Sequence, residues 1–297
     1  MNRREFLKTT GLVLAGGTLA GAQTAAAAHG PELSPNTLGV LVDTTLCIGC
    51  RECELACDRR NNLTKPPAPE ESFQDKGVFG SYRKYSPQSY TVVNKFDNPE
   101  TGEPVYVKNQ CMHCNHAPCV SACIVGALSK KENGAVHYDY GKCIGCRYCM
   151  MACPFQVPAN EFDNAFTPSI RKCTFCFEFV EEGGVPACAD ACPMGVMTFG
   201  KREELIEIAH ERIMRNPSRY VEHVFGEHDA GGTSWMYLAG LPFDQIGFPK
   251  VAGISNAQTS ETIMHGMFKH WIPPISLYAL VGAAMWLFKP KDGEDHE

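Results

Sequence analysis

No glycine-rich phosphate loop, dinucleotide fingerprint or serine-histidine-acid set occurs in the 297 residues, so nothing marks a substrate site belonging to this chain alone. Positive charge is also scarce. Lys and Arg number 27 against 33 Asp and Glu, for a net charge of -6. This leaves no basic field to hold a phosphate backbone, which argues against a nucleic-acid role. Disorder is argued against by a 44% hydrophobic content, enough at this length for one large domain or two small ones. What the chain has in excess is cysteine. The sixteen cysteines are about 5% of the residues, below the density of a short disulfide-stapled scaffold but above what core packing needs.

Those cysteines form four groups of four with none left over. Group one is Cys47, Cys50, Cys53 and Cys57; group two is Cys111, Cys114, Cys119 and Cys123. Group three is Cys143, Cys146, Cys149 and Cys153; group four is Cys173, Cys176, Cys188 and Cys192. Groups one and three share the spacing C-x2-C-x2-C-x3-C, while groups two and four widen the second gap. This is an internal repeat with loop insertions. A cubane iron-sulfur cluster takes three thiolates from one tight loop and a fourth from elsewhere, so paired runs predict clusters bound reciprocally. Gly49 and Gly145 lie inside the tight loops, where backbone N-H groups must approach sulfur closely.

Other fates for the cysteines fit less well. Structural zinc prefers two short-spaced pairs over a triplet with a trailing cysteine. Packed C-x2-C triplets have poor disulfide geometry. His113 and His116 lie within group two, but four cysteines already fill that group's ligand positions. Arg51, Lys142, Arg147, Arg171 and Lys172 flank the cluster loops, where positive charge would raise a cluster's potential. Exposed charges paired with nearby carboxylates are at least an equal reading for each. Met150 and Met151 are expected to serve packing.

The two ends of the chain address it to a membrane. Residues 1–28 combine Arg3-Arg4 and Phe6-Leu7-Lys8 with a small-residue apolar stretch and Ala25 to Ala28, the pattern of a twin-arginine export signal. That route carries proteins already folded around their cofactors. Near the other end, Trp271 to Phe288 is a run of 18 residues without charge, expected to span the bilayer as a helix. Trp271 and Trp286 would stand about 22 Å apart on it, close to the spacing of the two interfacial belts. The tail 289–297 would then face the cytoplasm, with the bulk of the chain on the periplasmic side.

The order of the four groups, the widened second and fourth, and the dipeptides Cys153-Pro154 and Cys192-Pro193 resemble the four-cluster ferredoxin subunits of membrane-bound respiratory oxidoreductases. The resemblance covers Gly39 to Gly200. It implies an α+β fold of two interleaved dicluster ferredoxin-like modules with a C-terminal transmembrane helix, holding four 4Fe-4S clusters. It also implies the ligand sets: Cys47, Cys50, Cys53 with Cys192; Cys173, Cys176, Cys188 with Cys57; Cys111, Cys114, Cys119 with Cys153; and Cys143, Cys146, Cys149 with Cys123. Ile124 stands where a proline would follow Cys123.

Further features narrow the resemblance. The export signal on this subunit itself, Phe199 to Leu205 after the last group, Gly231-Gly232-Thr233 before Leu241-Pro242, and the C-terminal helix resemble the periplasmic ferredoxin subunit of hydrogenase-2-type complexes. That family implies a non-catalytic electron carrier between a nickel-iron hydrogenase and a multi-helix quinone-reactive membrane subunit. The equivalent subunit of a molybdenum or tungsten enzyme, such as formate dehydrogenase, remains the alternative.

Between the motifs, strands are expected at Val40-Leu41-Val42, Val105-Tyr106-Val107 and Val136-His137-Tyr138, each leading into a cysteine loop. Residues 58–104 read as an inserted surface segment, a solvated loop with one strand at Tyr90 to Val93. Over 201–215 the periodicity predicts a helix with Leu205, Ile208, Ala209, Ile213 and Met214 on the packed face. The rest of 201–261 reads as an extended arm toward the membrane anchor at 271–288.

Overall fold

The computed structural model describes residues 33–162, 169–258, 261 and 274–287. The expected export signal (1–28) and tail (289–297) lie outside the described residues. In chain order the strands are β1 (Leu38–Asp43), β2 (Thr91–Asp97), β3 (Pro104–Gln110), β4 (Leu128–Lys130), β5 (Val136–Tyr138), β6 (Ala159–Asn160), β7 (Ile170–Arg171), β8 (Met197–Lys201) and β9 (Trp235–Leu238). Short helices follow the cysteine loops, and among the described residues the longest helices are Arg202–Arg215 and Pro274–Leu287.

β1 is an apolar run, Leu-Gly-Val-Leu-Val-Asp, buried from Gly39 onward. A strand that apolar must be covered on both faces and flanked on both edges. β8 pairs with it antiparallel, Leu41 opposite Thr198, and β9 pairs parallel, Leu41 opposite Met236. Alternation then sorts the side chains. Val40, Val42, Trp235 and Tyr237 join the core that contains the cysteines. Leu41, Met236 and Leu238 face the other way and pack on Leu205, Ala209 and Ile213 of the Arg202–Arg215 helix.

Two expectations need correction here. Met214 is 74% exposed and lies off the packed face of its helix. Arg202, at the helix start, is buried instead, donating from Nε to the Thr233 carbonyl (2.8 Å) and from Nη2 to that of Glu227 (2.8 Å). The larger correction concerns the extended arm. Within it, Trp235, Met236, Tyr237 and Leu238 are fully buried and complete the central sheet, so the stretch is core. Its glycines and prolines punctuate tight turns around one short strand, which composition alone presents as irregular chain.

Residues 58–104 likewise do more than loop through solvent. β2 runs antiparallel to β3, with Val93 opposite Lys108, and is buried over its first four residues. The three expected strand sites fall within β1, β3 and β5. Helix Pro274–Leu287 falls within the expected 18-residue membrane span. Among the described residues no helix is long and apolar enough to cross a membrane, and the remainder of that span lies outside the described residues.

Candidate iron-sulfur centres

Cysteine groups one and three are built by one device used twice. Asp43 and Asp139 each cap a single 3-10 turn, Thr44–Leu46 and Tyr140–Lys142, accepting the N-H of the residue two positions on. Each turn ends on the first cysteine, Cys47 or Cys143. Arg51 (φ 70) and Arg147 (φ 62) then adopt the left-handed conformation and start the helices Glu52–Asn61 and Tyr148–Ala152, which carry the third and fourth cysteines of group one and the third of group three.

A second feature recurs in all four groups. The residue two positions after the first cysteine has positive φ: Gly49 (67), His113 (48), Gly145 (71) and Phe175 (62). That conformation turns the backbone N-H back on the first sulfur. Gly145 N donates to Cys143 Sγ and Phe175 N to Cys173 Sγ, each at 3.4 Å, and the Gly49 N-H does the same for Cys47. Hydrogen bonds to cluster sulfurs are one of the means by which a protein sets cluster potential. Sequence inspection finds this position only where it is glycine. At His113 and Phe175 a side chain tolerates the strain, about 1–2 kcal/mol, because the buried rings pack together with centroids 5.0 Å apart. The common spacing from the first cysteine was the signal available.

The sixteen cysteines gather in four sets. Cys47, Cys50, Cys53 and Cys192 line one small cavity. Cys57 lies against Cys173, Cys176 and Cys188. Cys114 lies against Cys111, Cys119 and Cys153, and Cys149 against Cys123, Cys143 and Cys146. The sets also have an order. Cys53 neighbours Cys188, Cys173 neighbours Cys111, and Cys119 neighbours Cys149, which joins first to second, second to third and third to fourth.

All sixteen are free thiols, none joined in a disulfide. Burial pushes the thiols of Cys47, Cys149 and Cys153 up to about 11 and those of Cys119 and Cys173 up to about 12, with neighbouring cysteines adding to the effect. Cys53, Cys57 and Cys114 are raised well above the ordinary value for the same reason. Four thiolates crowded in a dry site repel one another and need cations among them. A cubane meets that need by giving each sulfur its own iron, so the donor set fits the group. Single-ion zinc geometry demands sulfurs converging within about 2.3 Å of one point. Among the described residues no three His, Cys, Asp or Glu side chains are so placed.

The flanking residues divide between the two readings. Arg51 is buried but points into the inserted segment, bonding Glu54 (2.9 Å) and the carbonyls of Ser72 and Asp75. Lys142 pairs with Asp139 (3.0 Å), Arg171 pairs with Glu161 (3.1 Å), and Arg147 lies over the Phe162 ring. Lys172 alone of the five is buried among the cysteine loops, donating to the carbonyls of Val136 and Cys173. Met151, 82% exposed, does no packing, whereas Met150 is packed against the core. His113 is buried and held neutral, its Nδ1 accepting the Val136 N-H at 2.8 Å, and His116 pairs with Glu261.

Two further cations escaped sequence reading. Lys130 is inside, bonded to the carbonyls of His113 and Gly134, and burial lowers its ammonium to about 8. Lys108 is 2% exposed in the middle of β3. Desolvation acts to strip its proton, but the surrounding cysteines overcome that and hold it above the ordinary lysine range. A lysine inside an otherwise half-apolar strand was the only hint.

Comparison with known proteins gives this arrangement its relatives. Two models described as 4Fe-4S dicluster domain match, one over residues 46–127 and one over 103–202. Hydrogenase-2 operon protein HybA of Escherichia coli O157:H7 is 35% identical, the alignment covering 100% of both chains. The chain belongs to the 4Fe-4S dicluster family that includes HybA. A protein of Nitratidesulfovibrio vulgaris is 46% identical over 86% of this chain and 69% of its own length. The nitrate-inducible formate dehydrogenase iron-sulfur subunit of Escherichia coli K12 is 34% identical over 77% of each chain. This HybA homologue is thus an iron-sulfur electron-transfer subunit with two dicluster ferredoxin-type domains, and the family resemblance drawn from its motifs holds.

Proposed function

We propose that this HybA homologue passes single electrons through four 4Fe-4S clusters, from a periplasmic nickel-iron hydrogenase to a quinone-reactive membrane subunit. One cluster is held by Cys47, Cys50, Cys53 and Cys192, and the next by Cys57, Cys173, Cys176 and Cys188. A third is held by Cys111, Cys114, Cys119 and Cys153, and the fourth by Cys123, Cys143, Cys146 and Cys149. The observation that carries this reading is the linear order of the four sets, with both ends near the surface. Ile48, inside the first loop, is 53% exposed, and Ile144, inside the last, is 61% exposed. Clusters supply electron storage at nearly constant geometry, and the chain's part is to space them, keep water away and set their potentials.

The hydrogenase partner is favoured over a formate dehydrogenase because HybA aligns over the whole of this chain, and because the export signal lies on this subunit. The chain itself performs no substrate chemistry. The pattern of residues 1–28 supports export, and the uncharged run from Trp271 to Phe288 supports one anchoring helix, which puts the clusters on the periplasmic face.

The test is metal analysis of the complex that copurifies with this chain from gently solubilised membranes. Nickel with abundant iron and acid-labile sulfide is the expected result. Molybdenum or tungsten without nickel transfers the same electron line to a formate-dehydrogenase-like enzyme, and iron with no partner metal leaves a lone ferredoxin. Zinc without iron ends the cluster reading.

A further inference from the structure

Lys108 is an isolated positive charge in the interior. Its side chain is closed in by β9 on one side and the cysteine loops on the other. The Nζ donates to Gln110 Oε1 at 2.6 Å and lies over the Trp235 ring, 4.3 Å from its centroid. Neither partner carries a charge, and no ion pair within 4.0 Å involves Lys108 among the described residues. An ammonium buried without a counter-ion costs several kcal/mol, so a protein keeps one only where an anion is near.

The surroundings name that anion. Lys108 lines the cavity of Cys47, Cys50, Cys53 and Cys192, and the groups that act on its charge most strongly are Cys188, Cys53, Tyr237 and Cys173. It therefore stands between the first and second cysteine sets, facing both. In the third set the lysines that act most on Cys114 and Cys119 are Lys130 and Lys172, and in the fourth set the leading influences on Cys149 are other cysteines.

We infer that Lys108 is a positioning charge shared by the first two clusters, which favours their reduced states and makes them the preferred resting place for an electron on this subunit. A cubane bound by four thiolates is anionic, and reduction adds one electron with no proton. The fixed ammonium attracts the reduced form more strongly than the oxidised form, in a dry site where screening is weak. It remains protonated throughout and moves nothing. Gln110 and Trp235 aim it, and Gln110 is itself fixed by donating to the Tyr237 hydroxyl at 2.6 Å.

This rests on the four-cluster reading above, and the test separates the two. Iron and acid-labile sulfide in the unaltered complex check the clusters first, and their absence ends the reading, not only the role of Lys108. Redox titration followed by EPR is then run on the complex carrying Lys108→Met, which keeps length and apolar contact with Trp235. The expected result is unchanged iron and sulfide with two of the four couples at least tenfold harder to reduce, which is 59 mV for a one-electron couple. The other two couples should stay in place. Four unmoved couples, or four moved equally, overturn the inference. If Lys108→Met loads no clusters, Gln110→Glu serves, because it keeps the ammonium and sets a carboxylate against it. The same two couples should fall, and unmoved couples overturn the inference there as well.

Discussion

The Cys47 and Cys143 loops begin from the same parts and end in opposite surroundings. Both have the aspartate cap, the 3-10 turn, the left-handed glycine and the left-handed arginine. Yet Arg51 is 6% exposed and locked to Glu54, Ser72 and Asp75, whereas Arg147 is exposed beside an exposed Cys146. The difference comes from residues 58–104 and the strand β3 that follows them, which fold over the first loop. Tyr106 of β3 packs on Gly49, Lys76 donates to the Gly49 carbonyl, and Glu54 accepts from Arg83 (2.7 Å) and from the Val93 N-H (2.6 Å). Among the described residues no such cover lies on the third loop, where Tyr140, Tyr148 and Met151 are all more than half exposed. The motif specifies how a cluster is gripped, and the insertion specifies how much solvent the cluster meets.

Paired substitutions sharpen that contrast. The largest effect is expected from removing a reciprocal ligand. Cys192→Ser should disturb the cluster of Cys47, Cys50 and Cys53, and Cys123→Ser that of Cys143, Cys146 and Cys149, each variant losing about one cluster of iron, roughly four atoms. Iron analysis and EPR read this, and an intact Cys47 signal in Cys192→Ser would show the pairing to be wrong. Next comes Arg51→Ala, which takes one of two guanidinium partners from the buried Glu54 carboxylate and should cost about 2–3 kcal/mol. Arg147→Ala, at the surface, should stay within about 0.5 kcal/mol. Denaturant midpoints compare the two, and equal losses would deny the covering role of the insertion.

The smallest contrast between the two loops should come from the glycines. A Cβ on Gly49 would lie 2.5 Å from Tyr106 Cδ1, and its φ is also positive, so Gly49→Ala combines overpacking with backbone strain at about 2 kcal/mol. Gly145→Ala, also at positive φ, should cost the backbone strain, about 1 kcal/mol. Thermal unfolding of the loaded protein resolves the difference, and matching values would mean that Tyr106 yields freely.

The four cysteine groups were legible because a sequence displays spacing directly, whereas the pairing of each group's last cysteine came from the family resemblance. The strands leading into the loops at Val40, Val105 and Val136 were legible for a related reason: β-branched residues next to a motif of known shape. The buried role of Trp235 to Leu238 was not, because four apolar residues among glycines and prolines look the same whether they end in a sheet or wander toward a membrane. Only pairing with β1, from the far end of the chain, distinguishes the cases. Lys108 was hidden for the converse reason. A lysine in a strand reads as solvent-facing unless one knows that the strand packs against cysteine loops.

The position of β1 has a consequence for the timing of manufacture. Val40 is opposite Phe199 on one side and Trp235 on the other, and Cys47 shares its cavity with Cys192. The segment that leaves the ribosome early therefore waits for Phe199 and then longer for Trp235, both far along the chain. A chain released before Trp235 would keep one edge of β1 bare, open to pairing with another molecule. Contacts so distant along the chain form slowly, and β1, made before both strands it pairs with, is among the last to be completed.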